Sequence, residues 1–142
     1  MNNELHFQIL KCFNLFKHCI NPKMSKLDIL PGQSKVLQCL NTYGALTPKE
    51  IGEYCKIDKS TTTSLINKML KMNYIQKEAS LVDKRSFVLH LTDLGLEKAE
   101  QSSKICHEIN QKALKHLSKE EQEDLFKLLD KINKSLEEEI NE

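Results

Sequence analysis

No apolar run in this chain of 142 residues reaches the ~20 that a membrane-spanning helix needs, so a bilayer span is excluded. The opening residues carry no basic segment ahead of an apolar core; no signal peptide is expected, and the cytoplasm is the expected location. Five cysteines, an odd number without a CxxC spacing, argue for reduced thiols and against a disulfide framework. A glycine-rich phosphate loop, a nucleophile motif and a carboxylate pair set apart from ordinary surface charge are all missing, so nothing supports an enzyme. No two His or Cys residues stand at i, i+4, and the adjacent Cys106 and His107 would point about 100° apart on a helix. No metal and no cofactor are therefore expected. Internal repeats and low-complexity segments are absent too, and the length suits one domain with its own core. Arginine is nearly absent: of 21 basic residues only Arg85 is not lysine.

What is present is unevenly distributed. The net charge is only +1, yet Thr47–Leu91 holds eight Lys/Arg against five Asp/Glu. Ser118–Glu142 holds four against nine. An acidic segment is poorly suited to phosphates, so the C-terminal part should face away from any nucleic acid.

Thr47–Asn73 is the most sharply specified stretch and reads as two short helices in tandem. Thr47 is an N-cap with Pro48 at the first helical position and Glu50 three residues on, a capping box; Leu46 and Ile51 stand where a hydrophobic staple would close. This helix runs to about Lys56, because Asp58 offers a second cap. The next helix extends to Met72, with Asn73 as a left-handed stop. Gly52 costs the first of them roughly 1 kcal/mol against alanine, a cost that close approach of the second would compensate. The second helix turns Thr62, Leu65 or Ile66, Met69 and Met72 inward. Ser60, Thr61, Thr63, Ser64, Asn67, Lys68 and Lys71 face out, all short or cationic, as a surface lying against phosphates and base edges requires. Lys49 and Lys59 add charge beside it. Two strand-like runs follow, Tyr74–Glu78 and Ser86–Leu91, the second alternating with Phe87, Leu89 and Leu91 on one face. The turn between them holds Asp83, Lys84 and Arg85.

Helix, helix and a hairpin with a basic tip make a winged helix-turn-helix. Here the chain resembles the MarR family of bacterial transcription regulators, through LTPKEIGEYCKIDKSTTTSLINKMLKMNYIQKE and then DKRSFVLHLTDLG. The likeness runs from Leu46 to Gly95 and more loosely beyond, and the Asp-x-Arg of the wing followed by Leu-Thr-x-x-Gly is its most specific part. It implies a mainly α fold with a small β-hairpin wing, in which residues 31–91 form the DNA-binding lobe of a single domain spanning 1–142. Residues 1–20 and 93–142 would supply dimerisation helices that interleave with those of a second copy. The implied partners are double-stranded DNA, a second copy of the chain and a small-molecule effector, with no membrane. The implied function is that of a homodimeric repressor released by its ligand. The expected DNA-binding residues are Lys49, Lys59, Ser60, Thr61, Thr63, Ser64, Asn67, Lys68, Asp83, Lys84 and Arg85. The family often has arginine where this chain has Ser64, which removes a guanine reader. Asn67 can pair with adenine, and the methyls of Thr61 and Thr63 can meet thymine methyls, so an A·T-rich pseudo-palindromic operator is expected.

The flanks are helical by periodicity. Asn2 to about Ile20 places Leu5, Ile9, Phe13, Phe16 and Ile20 on one face, and Asn21-Pro22 is expected to end that helix. A second helix starts near Pro31, carries Val36, Leu37 and Leu40, and ends at Gly44. Thr92 caps a long helix to about Leu117 whose stretch from Glu97 to Lys104 has few core residues. Ser118 and Glu121 form another capping box and open a last helix striped with Leu125, Leu129, Ile132, Leu136 and Ile140. That stripe and the first helix carry more apolar surface than a small winged-helix core needs.

Two sensor chemistries on the same scaffold bear comparison. Zinc-binding relatives use a His-x-x-x-His pair after the wing; here His107 is followed at that spacing by Gln111, and the pattern fails. The run Cys12-Phe13-Asn14-Leu15-Phe16 is similar to the Cys-Phe-x-Leu-Tyr segment of the peroxide-sensing OhrR branch, where tyrosine hydroxyls support the cysteine thiolate. Phe16 and Ile29-Leu30-Pro31 stand where those tyrosines would be. An apolar setting without donors raises a thiol pKa, so Cys12 is expected as a small core residue, with oxidant sensing through it as the alternative function.

Overall fold

The structure, a computed structural model, describes residues 3–83 and 85–142. Asn2, where the first helix is expected to begin, and Lys84 lie outside the described residues. The described residues form six helices and one antiparallel hairpin, and the chain divides into two compact units, one ending at His107 and the other starting at Glu108.

The first unit opens with α1 (Leu5–Ser25), which does not stop at Asn21-Pro22 but carries Pro22 inside it. Proline removes only one backbone donor, and here the last turn is anchored from below. Met24 is buried, and the carbonyls of Met24 and Ser25 accept from Leu27 and Asp28. Asp28 then turns left-handed at φ 58°, and Ile29 N–H returns to Met24 O at 3.0 Å. Core anchoring therefore outweighs the local stop signal. The helix α2 (Gln33–Tyr43) begins two residues later than Pro31, because Gly32 sits at φ 87° and makes the turn into it. Gln33 is completely buried; its Oε1 accepts from Leu30 N–H at 2.9 Å and its Nε2 donates to Met72 Sδ at 3.2 Å.

α3 (Pro48–Cys55) and α4 (Lys59–Lys71) follow the expected bounds to within a residue, each with its cap formed. Lys56 and Asn73 are left-handed at their ends. The strands β1 (Ile75–Ala79) and β2 (Phe87–Leu91) pair with Ile75 opposite Leu91 and Ala79 opposite Phe87. Leu46 adds a bridge to the hairpin from the α2–α3 connection, exchanging backbone hydrogen bonds of 3.1 and 2.7 Å with Leu89. Leu37, Ile51, Met69, Ile75 and Leu89 fill the centre of the core.

Thr92 caps α5 (Asp93–Ala113), accepting from Gly95 N–H at 2.9 Å while its hydroxyl donates to Asn73 O at 2.7 Å. A Cβ on Gly95 would lie 1.9 Å from Tyr74 O, so the Leu-Thr-x-x-Gly motif needs glycine here for lack of room. Glu97–Lys104 contributes more to the core than its polarity suggests, through the fully buried Ala99 and Ser102, with Ser102 Oγ donating to Ala99 O.

In the second unit α5 ends at Ala113, short of Leu117, and a turn follows. Gln122 reaches back with Nε2 to Leu114 O and Leu117 O, satisfying carbonyls that a longer helix would have used. The Ser118–Glu121 capping box opens α6 (Lys119–Ile140). Along it Leu125, Leu129 and Ile132 are half-buried, while Phe126, Leu128, Leu136 and Ile140 are exposed.

Candidate nucleic-acid interface

The candidate face is built on two capped helices in tandem. At the start of α3, Thr47 Oγ1 accepts from Glu50 N–H at 3.2 Å and Glu50 Oε1 accepts from Thr47 N–H at 3.0 Å. Where α3 crosses α4, a Cβ on Gly52 would stand 3.2 Å from Thr62 Oγ1, so the missing side chain is what lets α4 sit so near. Thr62 donates to Asp58 O at 2.7 Å and is buried, while Leu65 lies half-buried over Gly32 and Ile66 and Met69 are buried. α4 is thus held from beneath, and its other face is free to solvent.

The exposed hydroxyls are more committed than the sequence implies. Asp58 Oδ1 accepts from Thr61 N–H at 2.7 Å and from Ser60 Oγ at 2.8 Å, and its Oδ2 accepts from Thr61 Oγ1 at 3.0 Å. These bonds, the backbone one foremost, hold the Asp58 carboxyl below its ordinary range. A charged carboxylate therefore already occupies the amide-rich end of α4, the place where a phosphate would otherwise be drawn. Thr63 Oγ1 donates back to Lys59 O at 2.9 Å. Ser64, Asn67 and Lys68 are exposed further along the same face.

Pro48, Lys49, Ile57, Lys59, Thr63 and Ser86 are among the residues lining a cavity of about 670 Å³ beside α3 and α4. A smaller depression of about 340 Å³ lies between Leu30, Pro31 and the outer turns of α4 at Thr61, Ser64 and Lys68.

The wing tip is a hydrogen-bonded turn. Ser80 Oγ accepts from Val82 and Asp83 N–H at 3.3 and 3.2 Å, and Ser86 N–H donates to Asp83 O at 3.1 Å. Asp83 Oδ1 accepts from the backbone N–H of Arg85 at 3.0 Å. Asp83 thus fixes the backbone of the turn, and among the described residues it makes no ion pair with the guanidinium of the exposed Arg85. The sequence reading also passed over Leu81 and Val82, both fully exposed beside it.

Cys12 is exposed on α1, not a core residue. Its helix turns Phe13 and Leu15 to solvent at the same level, so the apolar character of the neighbourhood does not bring burial. A different pair of thiols lies closer together: where α2 packs on α3, Cys39 and Cys55 are near enough for each to act on the other's titration. Sixteen positions apart in the sequence, the two give no motif that would have revealed them.

A MarR family model matches residues 29–87, from the turn before α2 to the first residue of β2. The multiple antibiotic resistance protein MarR of Salmonella typhimurium is 30% identical over 118 residues, an alignment covering 80% of this chain and 79% of that protein. The chain belongs to the MarR family. Within it, a MarR protein from Peptoclostridium difficile superposes with a TM-score of 0.90 at 25% identity, covering 98% of this chain and 91% of that one. A mutant MarR from E. coli complexed with operator DNA superposes with a TM-score of 0.83, also at 25% identity, over 90% of this chain and 92% of the other. The MarR winged-helix fold is thus shared, and no helix among the described residues is long and apolar enough to cross a membrane.

Proposed function

We propose that this MarR-family regulator is a homodimeric repressor that reads an A·T-rich pseudo-palindromic operator and is released by a small ligand. The observation that carries the reading is the outer face of α4. Its inner side is consumed by the core, while the side chains of Ser64, Asn67 and Lys68 are exposed and make no hydrogen bond or ion pair among the described residues. The operator complex of the E. coli relative supports DNA as the partner of that face. Asn67 offers an amide to adenine, and Thr63, its hydroxyl returned to Lys59 O, offers a methyl to thymine. Lys49, Lys59 and Lys68 supply salt-dependent attraction to phosphates, with Lys84 of the wing assigned the same part from the sequence alone.

Arg85 enters a narrow minor groove in this reading, while Asp83 is engaged with the backbone of the turn. The second copy would cover the apolar side chains that α1 and α6 leave to solvent, among them Leu5, Phe7, Leu10, Phe126 and Leu136. Two copies place two recognition helices on half-sites one helical turn apart, ~34–36 Å. Fluorescence anisotropy against the DNA upstream of the protein's own gene tests the function, with a binding selection for base preference. Salt-steep binding to a palindrome rich in A·T supports it; absence of salt-dependent binding, or a G·C-rich consensus, refutes it.

A further inference from the structure

The neighbouring thiols of Cys39 and Cys55 have no part in DNA reading. They meet where α2 packs on α3, Cys39 buried and Cys55 half-buried. One turn beyond Cys39 and next to Cys55, Tyr43 and Tyr54 stack with ring centroids 4.2 Å apart and planes 17° from parallel. This exposed stack joins the two helix ends beside the thiols. The ammonium of Lys35 lies close enough on α2 to favour the Cys55 thiolate.

We propose that Cys39 and Cys55 form a dithiol site that captures a soft, thiophilic centre taking two sulfur ligands, the trivalent arsenicals being the class that fits. With phenylarsine oxide, hydrated in water to a dihydroxyarsine, the reaction is a condensation. Two As–OH bonds break and two As–S bonds form, each thiol proton leaves with a hydroxide as water, and arsenic stays trivalent. No oxidant is required. Disulfide formation is the competing chemistry of any dithiol, but it begins with attack by a thiolate. Burial pushes Cys39 up to about 11 and raises Cys55 as well, so thiolate is scarce at neutral pH.

Capture has a route to the DNA-facing helix. α3 carries both Cys55 and Gly52, and Gly52 is where α4 comes nearest, so a shift of α3 reaches Thr62 directly. This consequence rests on the DNA-binding reading; the capture itself does not.

The test is native mass spectrometry of the full chain with phenylarsine oxide. One bridged adduct per chain is expected, retained in the Cys12→Ser/Cys19→Ser/Cys106→Ser triple variant and lost in Cys39→Ser and in Cys55→Ser. In the unmodified sequence, a small dithiol should strip the adduct and excess monothiol should not, a chelate signature that depends on no variant. An adduct surviving either single substitution, or stripped by monothiol, overturns the site. Operator affinity measured on the same samples should fall by about tenfold on capture, equivalent to about 1.4 kcal/mol. Full capture with unchanged affinity overturns the link to α4, and a protein that never bound the operator overturns the DNA reading instead.

Discussion

Gly95→Ala is the smallest change that should unfasten the wing from the helix behind it. The added methyl would start 1.9 Å from Tyr74 O and 2.9 Å from Tyr74 C. Ordinary contact is near 3.4 Å, so backbone must move by roughly 1.5 Å, and both partners are backbone, which cannot rotate aside. That movement pulls on the bonds converging there: Thr92 N–H to Tyr74 O, Thr92 Oγ1 to Asn73 O, and Gly95 N–H to Thr92 Oγ1. Overpacking costs ~1–3 kcal/mol, and one weakened hydrogen bond adds about 1 kcal/mol. Alanine recovers at most ~1 kcal/mol of helix propensity. The net expectation is a loss of ~1–4 kcal/mol, read in urea as a lower midpoint at unchanged slope. A variant as stable as the parent would refute the reasoning, since it would mean that α5 and β1 separate freely at this point.

Other outcomes follow from the same geometry. Ile132→Asp, in the middle of the α6 stripe, should turn a micromolar dimer into monomer or unfolded chain in sedimentation and abolish operator binding; an intact, DNA-binding dimer refutes the assignment. Arg85→Ala should leave the thermal midpoint nearly unchanged and weaken operator binding by ~1–3 kcal/mol with a shallower salt slope. Asp83→Ala should cost less binding, and by loosening the turn, so amide exchange at Arg85 should quicken; equal losses with an unchanged turn would restore a direct side-chain role for Asp83. The lowered Asp58 pKa has a definite sign: its contribution is complete above the ordinary value of 3.8 and fades as pH falls through the lower folded value. Acid unfolding of Asp58→Asn should therefore be flatter than that of the parent below pH 3.8, and an identical acid limb would count against the cap.

Signals carried by neighbours in sequence were legible. Thr47-Pro48-x-Glu50, Ser118-x-x-Glu121 and Asp58 each specify a helix start through a side chain reaching three residues along, and all three starts occur. Period likewise placed Thr62, Leu65 or Ile66, Met69 and Met72 inward on α4; Thr62, Ile66 and Met69 are buried and Leu65 and Met72 half-buried. What escaped depends on partners distant in the chain. Pro22 reads as a stop until Met24 is seen buried beyond it. Ala99 and Ser102 look like solvated helix until their fully buried places are known, because small residues signal close approach only weakly. At the candidate site, the identity of the outward residues was readable but not the use of their hydroxyls. Ser60 and Thr61 donate to Asp58, and Asp83 accepts from a backbone amide, choices that geometry makes among several a sequence allows.

The backbone bridge between Leu46 and Leu89 also bears on how the lobe assembles. It closes a loop of roughly forty residues that contains α3, α4 and β1, so its entropic cost falls due before its own hydrogen bonds return anything. The two capped helices and the hairpin inside the loop rely on contacts near in sequence and are expected to form before the bridge. Both of its amides lie beside fully or nearly fully buried leucines and point at each other's carbonyls. Neither can exchange with solvent by fraying of a single element. Exchange at these positions then reports the opening of the whole lobe, giving its global stability from two resonances.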